Sequence, residues 1–441
     1  MGSPVKEHPA RVIIAGVIGN VLEWYDFALF GFFAAVISDQ FFPHESRLAS
    51  LLQTFGVFAV GYLMRPLGGV IFGHIGDRLG RKKALELSVL LMALPTTALG
   101  LLPTYHQIGM AAPILLTLIR VLQGISVGGE LIGSVSFLGE QAPPGRRGWL
   151  GSWSMCSSCG GILLGSGVAA LLTALIPADD LARWGWRIPF VCGIGVGLVG
   201  LWLRTGIEES ASFQEAERAA GVARSPVAEA LRDEWRAILL TVGFTLGVSA
   251  GFYVPFVWLS TWLAHINQPP LPEALQVNTI AMAVLLVLIP AAGALSDRLG
   301  RKRVLLVGAA AYGLLAYPAF LLLAQATFAT ALAGQLLFAV TLSMVAGPSP
   351  ATYVEMFPTR TRYSGIAIGY NLAQALFGGT APLIATYLID VTGDRLAPAY
   401  FLVAVGGVTF IAVLLIPDRS REPLRQMTSH VLGPVPLPAE V

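Results

Sequence analysis

Charged residues are scarce in this sequence. Asp, Glu, Lys and Arg together supply only 12% of the 441 residues, whereas hydrophobic residues supply 55% and the mean hydropathy is +0.70. A water-soluble domain has about twice that charged fraction on average. Apolar runs of about 18 or more residues recur along the chain, and each is long enough to cross a bilayer. The composition therefore excludes an ordinary soluble protein and predicts an integral membrane protein.

The sequence also lacks the patterns of common enzymes and metal proteins. Its three cysteines are too few for a disulfide framework, and its six histidines show no metal-site spacing. A phosphate-binding Gly-Lys-Ser/Thr loop is missing as well. Cys156 and Cys159 form a CxxC pattern in a glycine-rich apolar run, which we interpret as small apolar side chains of a membrane helix. We therefore expect no enzyme activity, no metal and no bound cofactor.

The hydropathy pattern predicts twelve membrane-spanning helices, with boundaries uncertain by a few residues. The first span contains Glu23 and Asp26 and is followed by no cleavage site, so it is interpreted as a retained helix and not a signal peptide. The predicted spans are 11–38, 49–75, 84–103, 110–140, 149–175, 187–205, 236–264, 274–295, 304–324, 328–356, 360–389 and 397–416.

Lysine and arginine are distributed unevenly between the two sides of the predicted membrane. Twelve spans place both termini on one side, and the loops of that side hold 22 of the 28 basic residues, against 4 on the other side. Because basic residues concentrate in cytoplasmic loops, both termini are predicted to be cytoplasmic. One missed span would destroy this split, which supports the count of twelve.

The two halves of the chain repeat each other. The segment GHIGDRLGRKK (73–83) follows the second span, and GALSDRLGRKR (293–303) follows the eighth, 220 residues later. This predicts a duplication of six helices plus six, which is typical of two bundles that rock about a central site. The predicted units are an N-terminal six-helix bundle (1–205), a cytoplasmic amphipathic linker (206–235), a C-terminal six-helix bundle (236–418) and a short cytoplasmic tail (419–441).

Each copy of the loop motif has a distant acid-to-arginine segment that also repeats. Glu140 is followed by Arg147, and Glu355 is followed by Arg362. The charges of both segments can pair across the cytoplasmic face and hold the bundles in one state; the alternative is that the arginines only fix the topology. The predicted latch residues are Asp77, Arg78, Arg81, Glu140, Arg147, Asp297, Arg298, Arg301, Glu355 and Arg362.

The repeated Gly-x-x-x-Asp-Arg-x-Gly-Arg-Lys loop resembles the signature loop of the major facilitator superfamily. Further segments resemble its metabolite:proton symporter branch, namely GNVLEWYDF (19–27), MRPLGG (64–69), RVLQGISVGGE (120–130), WGWRIPF (184–190) and FGGTAP (377–382). This resemblance covers essentially the whole chain. It implies an all-α integral membrane protein of the bacterial cytoplasmic membrane, with twelve helices in two pseudo-symmetric six-helix bundles. Members of the branch carry proline and betaine, citrate, 2-oxoglutarate or shikimate, so the resemblance selects no substrate.

Five charged residues are predicted deep inside the spans, and all lie in the first half: Glu23, Asp26, Arg65, Arg120 and Glu130. A charge inside a bilayer is costly, so each is a functional candidate. Three acids against two arginines leave one acid without a partner, and burial favours its protonated form. We predict that Glu23 or Asp26 binds the coupling proton and pairs with Arg65 or Arg120 in one state. The alternative is an inert salt-bridge network.

The second half offers polar and aromatic groups in place of charges. Arginine is the best bidentate ligand for a carboxylate, so a substrate carboxylate arriving at Arg120 would free the acid to take up a proton. For Asn20 and Gln123 a hydrogen bond between helices is the alternative role. The predicted substrate-binding residues are Arg120, Arg65, Asn20, Gln123, Tyr253, Tyr370, Asn371 and Gln374.

The sequence thus predicts a monomeric, proton-coupled symporter that takes up a small organic acid by alternating access. The two intramembrane arginines favour an anionic carboxylate. A zwitterion such as proline or glycine betaine is the runner-up, because it also carries a carboxylate and an aromatic ring can bind its cation. An antiporter of the same fold is a further alternative. The expected partners are the small substrate and the lipid bilayer, and no nucleic acid.

Overall fold

The computed structural model of the protein describes residues 9–42, 47–69, 71, 81–143, 145–205, 226–358, 361–422 and 424. Across these ranges the chain forms helices and no strands. Each of the twelve predicted spans coincides with one helix or with consecutive helices, which confirms the predicted fold class. Length and composition alone qualify nine helices of the described ranges as membrane spans, and the others are spans 1, 3 and 6.

We number the spanning helices α1 to α12. The first half contains α1 (Pro9–Phe32 and Ala34–Phe41), α2 (Arg47–Gly69), α3 (Arg81–Leu101), α4 (Ala111–Ser126 and Glu130–Gln141), α5 (Arg147–Leu175) and α6 (Ile188–Val191 and Gly193–Thr205). The second half contains α7 (Trp235–Ile266), α8 (Ala274–Leu299), α9 (Arg301–Ala324), α10 (Phe328–Ala346 and Ser349–Met356), α11 (Arg362–Thr392) and α12 (Ala397–Leu415).

Short helices connect some of the spans: Tyr105–Ile108, Ala178–Arg183, Gly185–Arg187 and Pro226–Asp233. The last one belongs to the predicted linker, of which 206–225 lies outside the described residues. Within the first half α1 packs along α5, α2 packs on α4, and α3 packs on α4 and α6. The halves meet mainly where α5 crosses α8.

Glycines let α2 and α4 approach each other backbone to backbone. A Cβ atom added to Gly124 of α4 would lie 1.9 Å from the carbonyl oxygen of Gly61 in α2, and one added to Gly128 would lie 2.3 Å from the amide nitrogen of Gly69. No larger residue fits such a contact. Close backbone contacts between small residues are a common basis of helix association in membranes. This close crossing brings the side chain of Arg120 on α4 against α2.

Several helices are interrupted or distorted, which the hydropathy pattern did not predict. The pair Gly128-Gly129 separates the two parts of α4, and Gly347-Pro348 separates those of α10. Wider π-helical turns, which often accompany functional sites, occur at Val254–Trp258, Trp262–Ile266 and Gln374–Gly378. Two of them adjoin predicted substrate-binding residues, Tyr253 and Gln374.

Candidate functional site

Arg120 lies in an aromatic box inside the first half. Its guanidinium carbon is 4.3 Å from the ring centre of Phe27, 4.6 Å from that of Phe30 and 5.5 Å from that of Phe58. The side chain is fully buried, and its Nε and Nη2 atoms have no hydrogen-bond partner among the described residues. The aromatic faces stabilise the charge, while those N–H groups stay available for an anionic ligand.

A chain of hydrogen bonds connects Arg120 to Asp26. Nη1 of Arg120 donates to Oε1 of Gln123 at 2.8 Å, and Nε2 of Gln123 donates to Oγ1 of Thr96 at 2.7 Å. The Thr96 hydroxyl in turn donates to Oδ2 of Asp26 at 3.1 Å. Among the described residues Asp26 makes no direct ion pair with an arginine, so this chain takes the place of the predicted pairing.

Arg65, also buried, contacts two further aromatic residues of α1 and α2. Its guanidinium carbon is 5.4 Å from the ring of Trp24 and 5.5 Å from the ring of Tyr62. It is 1% exposed, and Nε and Nη1 have no hydrogen-bond partner in the described ranges. Glu23, one helical turn before Asp26 on α1, is also buried. The structure therefore brings the two arginines and the two helix α1 acids into one region of the first half.

Asn20 is fully committed to the packing of α1 against α5. Its Nδ2 atom donates to the hydroxyl groups of Ser157 and Ser158 at 2.8 and 2.9 Å, and to the carbonyl oxygen of Ser154 at 3.2 Å. Its Oδ1 atom accepts from Nε1 of Trp24 at 2.9 Å. The geometry therefore matches the alternative role stated for Asn20, an interhelical hydrogen bond, and fixes the indole of Trp24.

An aromatic cluster joins the two halves. The hydroxyl oxygens of Tyr62 on α2 and Tyr253 on α7 are 2.5 Å apart, and their ring centres are 5.2 Å apart. The ring of Tyr253 also stacks on Trp24 at 6.4 Å and meets Phe58 edge-on at 6.2 Å. Tyr253 is the predicted second-half residue that lies directly against the first-half site.

The predicted residues of α11 lie on the same side of that helix. Nε2 of Gln374 donates to the Tyr370 hydroxyl at 2.8 Å. Nδ2 of Asn371 donates across the interface to the carbonyl oxygen of Gly128, at the break in α4, at 2.8 Å. All three side chains are buried. Asn371 thus bridges the halves, while Tyr370 and Gln374 line the second-half face.

The second copy of the loop motif forms a connected charge cluster at the end of the molecule that is predicted to face the cytoplasm. The carboxylate of Asp297 accepts hydrogen bonds from the backbone N–H groups of Gly148 and Trp149, which begin α5, at 2.9 and 2.8 Å. A carboxylate suits this positive helix end. Nη1 of Arg301 is 2.7 Å from Asp297, and Nη2 is 3.4 Å from Oε1 of Glu355.

Arg147 of the first half completes this cluster, because its Nη1 atom also lies 3.4 Å from Oε1 of Glu355. Four of the predicted latch residues therefore meet across the two halves. Arg298 is exposed and stays outside the cluster, and Nε of Arg362 donates to the carbonyl oxygen of Val354 at 3.1 Å. Asp77 and Arg78 lie outside the described residues, as do the side chains of Arg81, Glu140 and Glu130.

Sequence reasoning missed several residues of the central region, among them Phe58, Tyr62 and Thr96. Tyr62 precedes Arg65 by three positions and so shares its helix face, which was an available signal. Thr96 directly follows Pro95 inside α3. A neutral hydroxyl adds little to hydropathy and nothing to a charge count, so neither pattern indicates Thr96.

Comparison with known proteins finds transporters that are similar over nearly the whole chain. A family model described as sugar (and other) transporter matches residues 12–235 and again residues 235–430. The proline/betaine transporter of Salmonella typhimurium is 34% identical over 427 residues, which cover 95% of this chain and 85% of that protein. A glycine betaine/proline/ectoine/pipecolic acid transporter of Dickeya dadantii is 33% identical over the same length.

Solved structures are similar in fold. The xylose transporter XylE from E. coli, in a partially occluded inward-open conformation, superposes with a TM-score of 0.75 and 19% identity over 94% of this chain and 99% of that one. A crystal structure of a D-xylose-proton symporter gives a TM-score of 0.72 at 19% identity. At this identity the likeness concerns the fold alone.

Proposed function

Because the chain belongs to the sugar (and other) transporter family of the major facilitator superfamily, we propose that it is a proton-coupled symporter of a small zwitterion such as proline or glycine betaine. As a membrane transporter it is not an enzyme, in agreement with the prediction from sequence. The proposal replaces the organic acid, favoured by the two arginines, with the runner-up substrate. The observation that supports this proposal most directly is that Arg65 lies over the rings of Trp24 and Tyr62, and that Tyr62 is hydrogen-bonded to Tyr253.

The names of the similar transporters support a zwitterionic substrate. They are named for proline, betaine, ectoine and pipecolic acid, and they share about one third of their residues with this chain over nearly its whole length. Each such molecule carries a carboxylate and a positively charged nitrogen group. A site for it needs a cation on one side and an electron-rich surface on the other.

The surroundings of Arg65 offer both. Nε and Nη1 of Arg65 have no hydrogen-bond partner in the described ranges. Once the side chain moves toward the substrate, its guanidinium can bind a carboxylate through two parallel N–H groups. Its guanidinium occupies the faces of Trp24 and Tyr62. In our proposal the substrate carboxylate draws Arg65 away from these rings, and the positively charged nitrogen group of the substrate takes its place on them.

The coupling proton binds to a helix α1 acid in this proposal. Asp26 is supported by its burial and by its connection to Arg120 through Gln123 and Thr96. Glu23 is the second candidate. The protonated carboxyl group is neutral, so it can move with its helix bundle at a lower desolvation cost than the charged carboxylate.

A di- or tricarboxylate is the second candidate substrate, since both Arg65 and Arg120 are buried and have N–H groups without partners in the described ranges. Antiport by the same fold is the alternative coupling mode. We further propose a monomer in the bacterial cytoplasmic membrane with both termini in the cytoplasm, as the distribution of basic residues suggests.

Counterflow exchange in proteoliposomes distinguishes these substrates. Vesicles loaded with unlabelled proline, glycine betaine, citrate or 2-oxoglutarate are tested for uptake of the labelled compound. We expect exchange of a zwitterion, and a loss of about tenfold or more in Arg65→Lys, which keeps the charge but loses the fork. Exchange of citrate or 2-oxoglutarate without proline or betaine would support the carboxylate instead.

A further inference from the structure

The hydroxyl group of Thr96 is used differently from those of other threonines in the bundle. Thr97, its neighbour on α3, donates back to the carbonyl oxygen of Ala93 at 2.9 Å, and Thr54 and Thr117 likewise donate to a carbonyl four residues before them. This is the usual behaviour of threonine in a helix. Thr96 instead donates to Asp26 on another helix. Its single hydrogen is thus committed to the carboxylate.

The direction of the whole hydrogen-bonded chain is fixed by its two ends. A guanidinium group can only donate, and a carboxylate can only accept. Gln123 therefore accepts from Arg120 through its oxygen and donates to Thr96 through its nitrogen, and Thr96 must donate onward. Such a chain is polarised by the arginine charge and stabilises the ionised form of Asp26.

Protonation can occur without breaking this chain. Oδ1, the second oxygen of Asp26, has no hydrogen-bond partner in the described ranges, and the backbone of Gly193 on α6 lies beside it. The nearby ionisable groups are Glu23 and Tyr25 on α1, Arg120 on α4 and Cys192 on α6. A proton that arrives at Oδ1 leaves the Thr96 bond to Oδ2 in place.

We propose that Thr96 and Gln123 are positioning residues that transmit the state of Arg120 to the proton-binding group of Asp26. When the substrate carboxylate draws Arg65 off the ring of Tyr62, that ring repacks against Phe58 in the aromatic box of Arg120. The guanidinium of Arg120 then leaves Gln123, the polarisation of the chain is lost, and Asp26 takes up a proton at Oδ1. This inference rests on the proposed proton-coupled function. It assigns the coupling to two neutral residues and not to a direct ion pair.

The link between Thr96 and Asp26 can be tested without any substrate. Infrared difference spectroscopy of the purified full chain records the carbonyl stretch of protonated carboxyl groups as the pH is changed. Asp26→Asn identifies the band of Asp26 by its disappearance. Thr96→Val removes the hydroxyl at nearly constant volume, Thr96→Ser retains it, and Thr97→Val is the matched control on the adjacent residue.

We expect the Asp26 band of Thr96→Val to titrate at a pH about one unit higher than in the parent protein, because the ionised form has lost one hydrogen bond. Thr96→Ser and Thr97→Val should titrate like the parent. Gln123→Met, which cuts the chain one bond further from Asp26, should shift the band in the same direction by less. If the Asp26 band titrated at the same pH in Thr96→Val and in Thr97→Val, the inference would be wrong.

A transport experiment tests the coupling itself. In proteoliposomes, Thr96→Val should lose about tenfold in gradient-driven accumulation while counterflow exchange stays within about twofold of the parent. An equal loss of both activities would mean that Thr96 only supports the structure, and would contradict the inference. If the parent protein exchanged neither proline nor betaine, the proposed function would fail, but the infrared titration would still decide the role of Thr96.

Discussion

Asn20 illustrates how one polar residue can shape a binding site without lining it. Its amide makes hydrogen bonds to three serines of α5 and accepts one from the indole of Trp24. A rotating indole would lose entropy on binding a ligand, whereas a fixed one is preorganised. The hydrogen bond from the indole to Asn20 holds Trp24 where it contacts Arg65 and Tyr253.

We expect Asn20→Ala to weaken substrate binding by about tenfold, which corresponds to a loss of roughly 1.4 kcal/mol of preorganisation. The measurement is the half-saturation concentration of counterflow exchange. Asn267→Ala is a suitable control, because Asn267 is equally buried but bonds to the carbonyl oxygen of Ala324 in the second half. Unchanged half-saturation in Asn20→Ala would show that Trp24 needs no such support.

At the residue scale, the sequence predicted the charges of the site but not their connections. Glu23, Asp26, Arg65 and Arg120 stand out because a charge in an apolar span is costly. Thr96 and Gln123 are neutral, and which group a hydroxyl or amide bonds depends on how helices pack. That packing is set by contacts such as the Gly61–Gly124 crossing, which no local pattern reveals.

The crossing of α2 and α4 is the element on which the Arg120 site depends. The carbonyl oxygen of Gly61 leaves no space for a side chain at Gly124. Since the obstacle is backbone, relief requires a movement of the whole helix and not of one rotamer. The separation of these two helices therefore controls how deeply Arg120 is held among the aromatic rings.

Gly124→Ala is expected to destabilise the protein by about 1–3 kcal/mol through overpacking. The expected result is a clear fall of the thermal unfolding midpoint in detergent. Gly56→Ala on α2 is the control, because a Cβ at that position meets nothing within 4 Å. Equal midpoints for the two variants would contradict the tight crossing.

Helix positions were more predictable than helix shapes. A span needs about 20 apolar residues, so hydropathy locates it well. The breaks at Gly128-Gly129 and Gly347-Pro348 were not predicted, since such residues are also tolerated inside continuous membrane helices when neighbours supply the missing hydrogen bonds. The wider turn at Val254–Trp258 contains Pro255, which signals a distorted helix but does not say which kind of distortion forms.

At the scale of the whole molecule, a charge cluster connects the two halves at the end that is predicted to face the cytoplasm. Asp297 binds the start of α5, and Arg301 and Arg147 share Glu355. Breaking a buried cluster by removing one partner is costly, because the remaining charge is left buried. Any state that opens this end must first separate these groups.

We expect Arg301→Gln to open this end of the molecule more often. Cys156 of α5 is a native reporter, because its Sγ atom faces the carbonyl oxygen of Leu286 on α8 at 3.5 Å and is buried. The variant is made in a Cys159→Ala, Cys192→Ala background, so that only Cys156 reacts with maleimide. We expect its labelling rate to rise tenfold or more, which corresponds to an opening equilibrium that is more favourable by about 1.4 kcal/mol. The control is Arg298→Gln, which changes a nearby exposed arginine. In that variant Cys156 should be labelled at the same rate as in the background. The same rate in both variants would exclude a latch function.

The coupling of uptake to a proton through α1 is tested most directly by one measurement. Accumulation of labelled proline and glycine betaine is recorded in proteoliposomes with and without an inward proton gradient, for the parent protein and for Asp26→Asn. We predict accumulation only with the gradient, and its loss in Asp26→Asn while counterflow exchange persists. Accumulation that needs no gradient, or that survives in Asp26→Asn, would contradict the assignment of Asp26 as the proton site.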